Sequence, residues 1–176
     1  GLYLKPTLKP PPVSCNWSKA MQYPIHLNDE IGCCAIASCA HQIQCWTANT
    51  QAGPIILADQ QVLETYSAVS GYDGSPQSDT GCVMKNVYDY WKQVGIDGNR
   101  IATAVTVDPD EIDNVKWAIV MFGGSCLGVN LPQSAIDQTD SHAPWTVANY
   151  HTQIVGGHAI EVYGYDHDGL ICTTWG

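Results

Sequence analysis

What most constrains the fold of this chain is the order of its hydrophobic periods: segments with helical spacing come first, and strand-like segments come last. Over residues 34–47, Ile36, Ala40, Ile43 and Trp46 fall near one helical face. Asp59 is placed to cap a second helix over 59–69, with Val62, Leu63, Tyr66 and Val69 on its apolar side and Gly71 as its stop. A third helix, over 82–94, gathers Val83, Val87, Tyr90, Trp91 and Val94 and ends at Gly95. A fourth opens with Asp108 as cap, Pro109 in the first turn, and Asp110 and Glu111 at the positive end of the helix dipole. Its stripe is Ile112, Val115, Ile119 and Phe122, and Gly123-Gly124 terminates it.

Strands follow. Cys126 to Leu131, His158 to Tyr165 and Leu170 to Trp175 are strand-like, and Asp166-His167-Asp168-Gly169 has the chemistry of a hairpin turn between the last two. Tyr72 to Thr80 is a turn-rich loop, and Pro132 to Val155 a long, polar, irregular connection. Helices first and strands afterwards predict an α+β architecture, with helices packed on an antiparallel sheet. The 176 residues suit one core. Residues 1–14, with Lys9-Pro10-Pro11-Pro12, form an extended arm, and the domain occupies 15–176, with Trp17 anchoring its first loop.

Charge narrows the partners. The formal charge is −10, and only seven Lys and Arg are scattered along the chain, so neither nucleic acid nor an anionic membrane is expected. The longest mostly apolar stretch, Trp117 to Val129, is too short and Gly-rich to span a bilayer. Gly1 to Pro12 has no apolar core of a signal peptide. Eight cysteines leave two readings open: bridges in an oxidising compartment, or small buried hydrophobes.

The chemistry concentrates around Cys34. The run Asn28-Asp29-Glu30-Ile31-Gly32-Cys33-Cys34 leads a polar amide, a glycine and a thiol into the first helix, while His158 opens a late strand. A thiol at a helix start and an imidazole on a strand suit a cysteine nucleophile with a histidine base. Either adjacent cysteine could be the nucleophile, and the helix start favours Cys34. Cys33, Cys34 and Cys39 lack the pair spacing of a zinc site, so no metal or cofactor is expected.

In order, these landmarks resemble the papain-like cysteine peptidases. Trp17 precedes the thiol; Asn28 stands six residues before Cys34; Gly81-Cys82 is followed by Met84 and a Tyr/Trp-rich helix. Gly157-His158-Ala159 runs to Gly164-Tyr165-Asp166, and Thr174-Trp175-Gly176 closes the chain. The run from Asn28 and the segment His41 to Ala48 are also similar to small bacterial and phage papain-like proteins. The chain stops at Gly176 where the family continues with more sheet residues, which predicts a shortened C-terminus.

The resemblance implies a central helix packed on a C-terminal antiparallel sheet or barrel, and a cysteine-dependent hydrolase of peptide or amide bonds working through an acyl-enzyme. It assigns Cys34 as nucleophile, His158 as base, Asn28 as oxyanion donor and Thr173 as the residue that orients His158; Trp175 either shelters that contact or belongs to the core. It also implies a Cys33–Cys82 disulfide that leaves Cys34 free. The expected partner is a peptide or protein substrate, self-assembly is open, and the expected location is extracellular or in a virus particle. The competing reading is a catalytically silent papain-like fold used for binding or structure in such an assembly.

Overall fold

The computed structural model describes residues 2–3, 9–50, 53–147 and 153–175. Residues 4–8 of the expected arm, 148–152 of the long connection and Gly176 of the closing motif lie outside the described residues.

The helical half comes first, as expected. Helix α1 (Cys34–Ala48) is buried along nearly its whole length, from Ala35 to Cys45, because it runs through the middle of the molecule. Helices α2 (Asp59–Ser70) and α3 (Met84–Gln93) pack beside it. Ile36, Ala40 and Ile43 of α1, Val62 and Tyr66 of α2, and Val87 and Trp91 of α3 form one continuous core. Asp59 is the first residue of α2 rather than its cap: the cap is Ala58, whose N–H donates to the Gln61 side chain at 2.7 Å.

The strands make a sheet around β5 (Ile154–Tyr165). It pairs antiparallel with β4 (Ser125–Pro132) and, further along, with β2 (Cys15–Asn16) on one edge, and with β6 (Leu170–Thr173) on the other, since Gly164 and Tyr165 pair with β2 and β6 at once. From His158 onward β5 is buried without alternation. The reason is that both of its faces are covered. Ala159 joins the core of α1 to α3, while Ile160 and Val162 join a second core under α4 (Ile112–Phe122) with Val115 and Ile119. The α+β expectation, with a central helix on an antiparallel sheet, matches this arrangement.

The N-terminal segment lies along the sheet half. Strand β1 (Leu2–Tyr3) pairs with β3 (Val105–Thr106), Trp117 donates to the Lys9 carbonyl at 3.1 Å, and Tyr165 donates to the Pro12 carbonyl at 2.8 Å. Trp17 anchors its loop by donating to the Ile119 carbonyl at 3.0 Å. Strand β2 then approaches β5 so closely that a Cβ on Gly164 would lie 2.3 Å from the Cys15 carbonyl oxygen.

Two further expectations need correction. Asp108 does not cap α4. Its carboxylate accepts the Asp110 N–H at 3.0 Å in a separate turn, and α4 starts only at Ile112 with Glu111 as its cap residue. The connection after β4 is not irregular throughout, since Gln133–Asp140 form α5. No helix among the described residues is long and apolar enough to cross a membrane.

Candidate active site

Cys34 is the first residue of α1, so its backbone N–H and sulfur sit at the positive end of that helix. The sulfur side chain lines a cleft of about 540 Å³ between the helical half and the sheet. Gly32, Gly81, Cys82 and Met84 line the helical side; Gly128, Gly157, His158 and Ala159 line the sheet side. The expected nucleophile and base therefore border one cavity, although 124 positions separate them in the chain.

The neighbouring thiol does not compete for this place. Cys33 is fully buried, its sulfur donates to the His26 carbonyl at 3.2 Å, and its pKa is pushed up to about 12, chiefly by burial. Burial also raises the Cys34 thiol above its ordinary value, while the backbone amides of Ala159, Ala35 and Cys34 itself pull the other way. Burial lowers His158. Both groups are thus held toward their neutral forms in the resting molecule.

The partner of His158 is Thr174, not Thr173. His158 Nε2 lies 2.6 Å from the Thr174 hydroxyl. Thr173 is buried at the end of β6, opposite Glu161 in the ladder. The hydroxyl that reaches the imidazole belongs to the residue after the strand has ended. Trp175 stacks on the His158 ring, with centroids 4.6 Å apart and planes 20° from parallel. Trp145 in turn packs edge-on against Trp175 at 6.2 Å. Of the two readings of Trp175, sheltering or core, the stacking puts its ring on the imidazole; the contribution of Trp145, within the long connection, carries no sequence signal.

Asn28 is close by but differently engaged. Its side chain is buried, does not line the cleft, and donates to the Thr174 carbonyl at 3.1 Å. Its short arm thus ties down the residue that holds His158, and one amide hydrogen remains uncommitted to that bond. The loop leading to it is strained: His26 and Leu27 both have φ of 60°, a region that non-glycine residues rarely occupy.

The implied disulfide is absent. All eight cysteines are free thiols, Cys33 and Cys82 included. The Cys33 sulfur is committed to the His26 carbonyl, and hydrogen bonds join the two loops instead. Asp79 accepts the Gly32 N–H at 2.9 Å, and the Tyr66 hydroxyl, which donates to Asp79, accepts the Gly81 N–H at 3.0 Å. Neither Asp79 nor Tyr66 was distinguishable in the sequence as more than a loop acid and a core aromatic.

One group of potential metal ligands comes together among the described residues: Asp166, His167 and Asp168, all exposed in the β5–β6 turn. Their side-chain contacts fit a hydrogen-bonded turn, with the Asp168 N–H donating to Asp166 at 2.9 Å.

No protein-family model matches the sequence, and no curated protein matches it significantly. Three-dimensional comparison does find likenesses. The crystal structure of xylellain, a cysteine protease from Xylella fastidiosa, aligns with a TM-score of 0.74 at 15% identity, covering 95% of this chain and 76% of that one. The likeness lies in the path of the backbone, and the fold is papain-like.

Proposed function

We propose that this papain-like fold carries a cysteine hydrolase of peptide or amide bonds, centred on Cys34. The observation that carries the reading is the shared cleft: a helix-start thiol and a strand imidazole line it, and a hydroxyl and a stacked indole hold the imidazole in place. We assign the tautomer in which Nε2 donates to the Thr174 hydroxyl, which leaves Nδ1 as the basic nitrogen. Attack on a substrate carbonyl moves the Cys34 proton to His158 as the C–S bond forms. His158 then returns the proton to the leaving amine, and a water it activates releases the acid. The Cys34 backbone N–H, at the open end of α1, is the donor to the oxyanion, while Asn28, buried outside the cleft, serves by holding Thr174 instead.

A second reading has its own support. Burial disfavours both the Cys34 thiolate and the His158 imidazolium, and the Asn28 amide is spent partly on Thr174. A silent binding domain, extracellular or in a virus particle, would tolerate such a site. One measurement separates the two: the rate of Cys34 alkylation by iodoacetamide at neutral pH, in wild type and in His158→Ala. The hydrolase predicts fast labelling that drops about tenfold or more without the imidazole. Labelling no faster than a free thiol, and indifferent to His158, would leave the silent fold.

A further inference from the structure

The two loops on the helical side of the cleft are joined by a hydrogen-bonded clamp. Gly32, two residues before Cys34, donates its N–H to both Asp79 oxygens, at 2.9 and 3.2 Å. Tyr66 of α2, fully buried, donates its hydroxyl to the same carboxylate and accepts the Gly81 N–H at 3.0 Å. The fit leaves no slack: a Cβ on Gly32 would sit 2.9 Å from Asp79 Oδ1 and 3.4 Å from the Gly81 Cα. Burial first, and the bond to Asp79 second, push the Tyr66 phenol up to about 12, so it remains a donor throughout the neutral range.

Both clamped glycines line the cleft, and the Gly32 segment leads directly into the Cys34 amide. Helix α2 thereby fixes, through one phenol and one carboxylate, the backbone on which Cys34 sits and the Gly81 wall beside it. Mobility there would blur the placement of the Cys34 N–H while leaving the sulfur and His158 bordering the same cleft.

We propose that Asp79 and Tyr66 are positioning residues for the amide cleavage assigned to Cys34, holding the Gly32–Cys34 backbone in register with the Gly81 wall so that the Cys34 N–H meets the developing oxyanion. This inference rests on the hydrolase reading. It also explains why the two loops need no disulfide: the carboxylate and phenol do in hydrogen bonds what a covalent bridge would do.

The test compares Tyr66→Phe, Asp79→Ala and Asp79→Asn with wild type. The chain is presented with a peptide-amide substrate cleaved by wild type, and rates are taken per alkylatable Cys34. Tyr66→Phe keeps the buried ring, and Asp79→Asn keeps the acceptor oxygen, so both guard against a variant that fails to fold. The clamp predicts that kcat falls about tenfold or more in Tyr66→Phe and Asp79→Ala, with KM changed far less, because a transition-state contact is misplaced. Asp79→Asn recovers kcat to within about threefold, and iodoacetamide labelling of Cys34, which needs no oxyanion donor, stays at the wild-type rate. Unchanged kcat per labelled site, with only a lower melting temperature, overturns the proposal and reduces the clamp to a structural staple. If wild type cleaves no amide at all, the hydrolase reading fails separately. Hydrogen exchange then decides the clamp: selective loss of protection at 30–36 and 79–83 in Tyr66→Phe supports it, and unchanged protection overturns it.

Discussion

At the scale of single residues, the geometry singles out Thr174. Aligning the closing Thr-Trp-Gly motif puts Thr173 in the orienting position, yet His158 bonds to the hydroxyl one residue later. The difference is a matter of where β6 ends. Thr173 is still in the ladder opposite Glu161, and only beyond it does the chain turn a side chain toward the imidazole. A sequence records two consecutive threonines but not which of them lies past the last ladder bond. Cys34, His158 and Trp175 were legible because each carries a residue type with few other reasons to stand in that order. Asp79 and Tyr66 were not, because an acid in a polar loop and a tyrosine on an apolar helix face have common structural uses. Thr174→Val keeps the shape and removes the hydroxyl, so it frees the imidazole to rotate. Its kcat on an amide substrate is expected to fall about tenfold, the scale of losing an outer partner of a working imidazole. Thr173→Val, which removes no contact to His158, should leave kcat near wild type. The reverse order, measured by steady-state kinetics on the two variants, would restore Thr173 to the role.

At the scale of elements, periodicity located the four long helices to within a few residues, since each has an apolar stripe that tertiary packing reinforces. It failed where a local hydrogen bond competes with the helix. Asp108 caps a turn, and α4 begins after it. It also failed where an element is too short to show a stripe: α5 has eight residues, with only Ala135 buried. The sheet depends on a contact that no pattern reports, the approach of β2 to β5 at Gly164. Asn16 pairs with Gly164, and any Cβ there would meet the Cys15 carbonyl at 2.3 Å and the Asn16 Cα at 2.9 Å, both backbone atoms. Gly164→Ala must therefore push β2 off the sheet edge or strain β5. Overpacking of this kind costs about 1–3 kcal/mol. The expected result is a lower urea midpoint together with faster amide exchange at Cys15 and Tyr163-facing Trp17, whose N–H donates to the Tyr163 carbonyl at 3.1 Å. An unchanged midpoint would mean that β2 contributes nothing to the stability of the sheet.

At the scale of the whole molecule, its buried titratable groups fix how stability responds to pH. His26 and His41, in ring contact at 4.9 Å, are both lowered to about 4, chiefly by burial, and burial lowers His158 as well. Each binds its proton more weakly in the folded than in the unfolded chain. Their contribution is present above the ordinary histidine value of 6.5 and is lost as pH falls below it. Glu161 has the opposite sign. It is buried between α1 and β5, accepts the Ser38 hydroxyl at 3.0 Å, lies against the Gln42 amide, and burial raises its carboxyl well above 4.5. Its contribution is fully present below 4.5 and is lost as pH rises, because the unfolded chain gives up a proton that the folded one keeps. Each such proton tilts stability by about 1.4 kcal/mol per pH unit. Between 4.5 and 6.5 His26 and His41, both lowered to about 4, outweigh one carboxyl, so stability rises with pH; once the histidines no longer differ between the two states, the raised Glu161 carboxyl pulls stability down until it ionises in the fold. Above 9.0 stability falls further, since burial keeps thiols such as Cys39, Cys45 and Cys126 protonated in the fold while the unfolded chain ionises them. Stability is therefore expected to rise up to about pH 6.5 and no further, a limit set by the histidines the fold buries rather than by the net charge. Urea unfolding from pH 4 to pH 10 checks the curve, and Glu161→Gln checks its cause. That variant stays neutral, so its stability should lack the decline with rising pH that the raised carboxyl gives wild type. A parallel decline in both proteins would show that the buried carboxyl is not the group responsible.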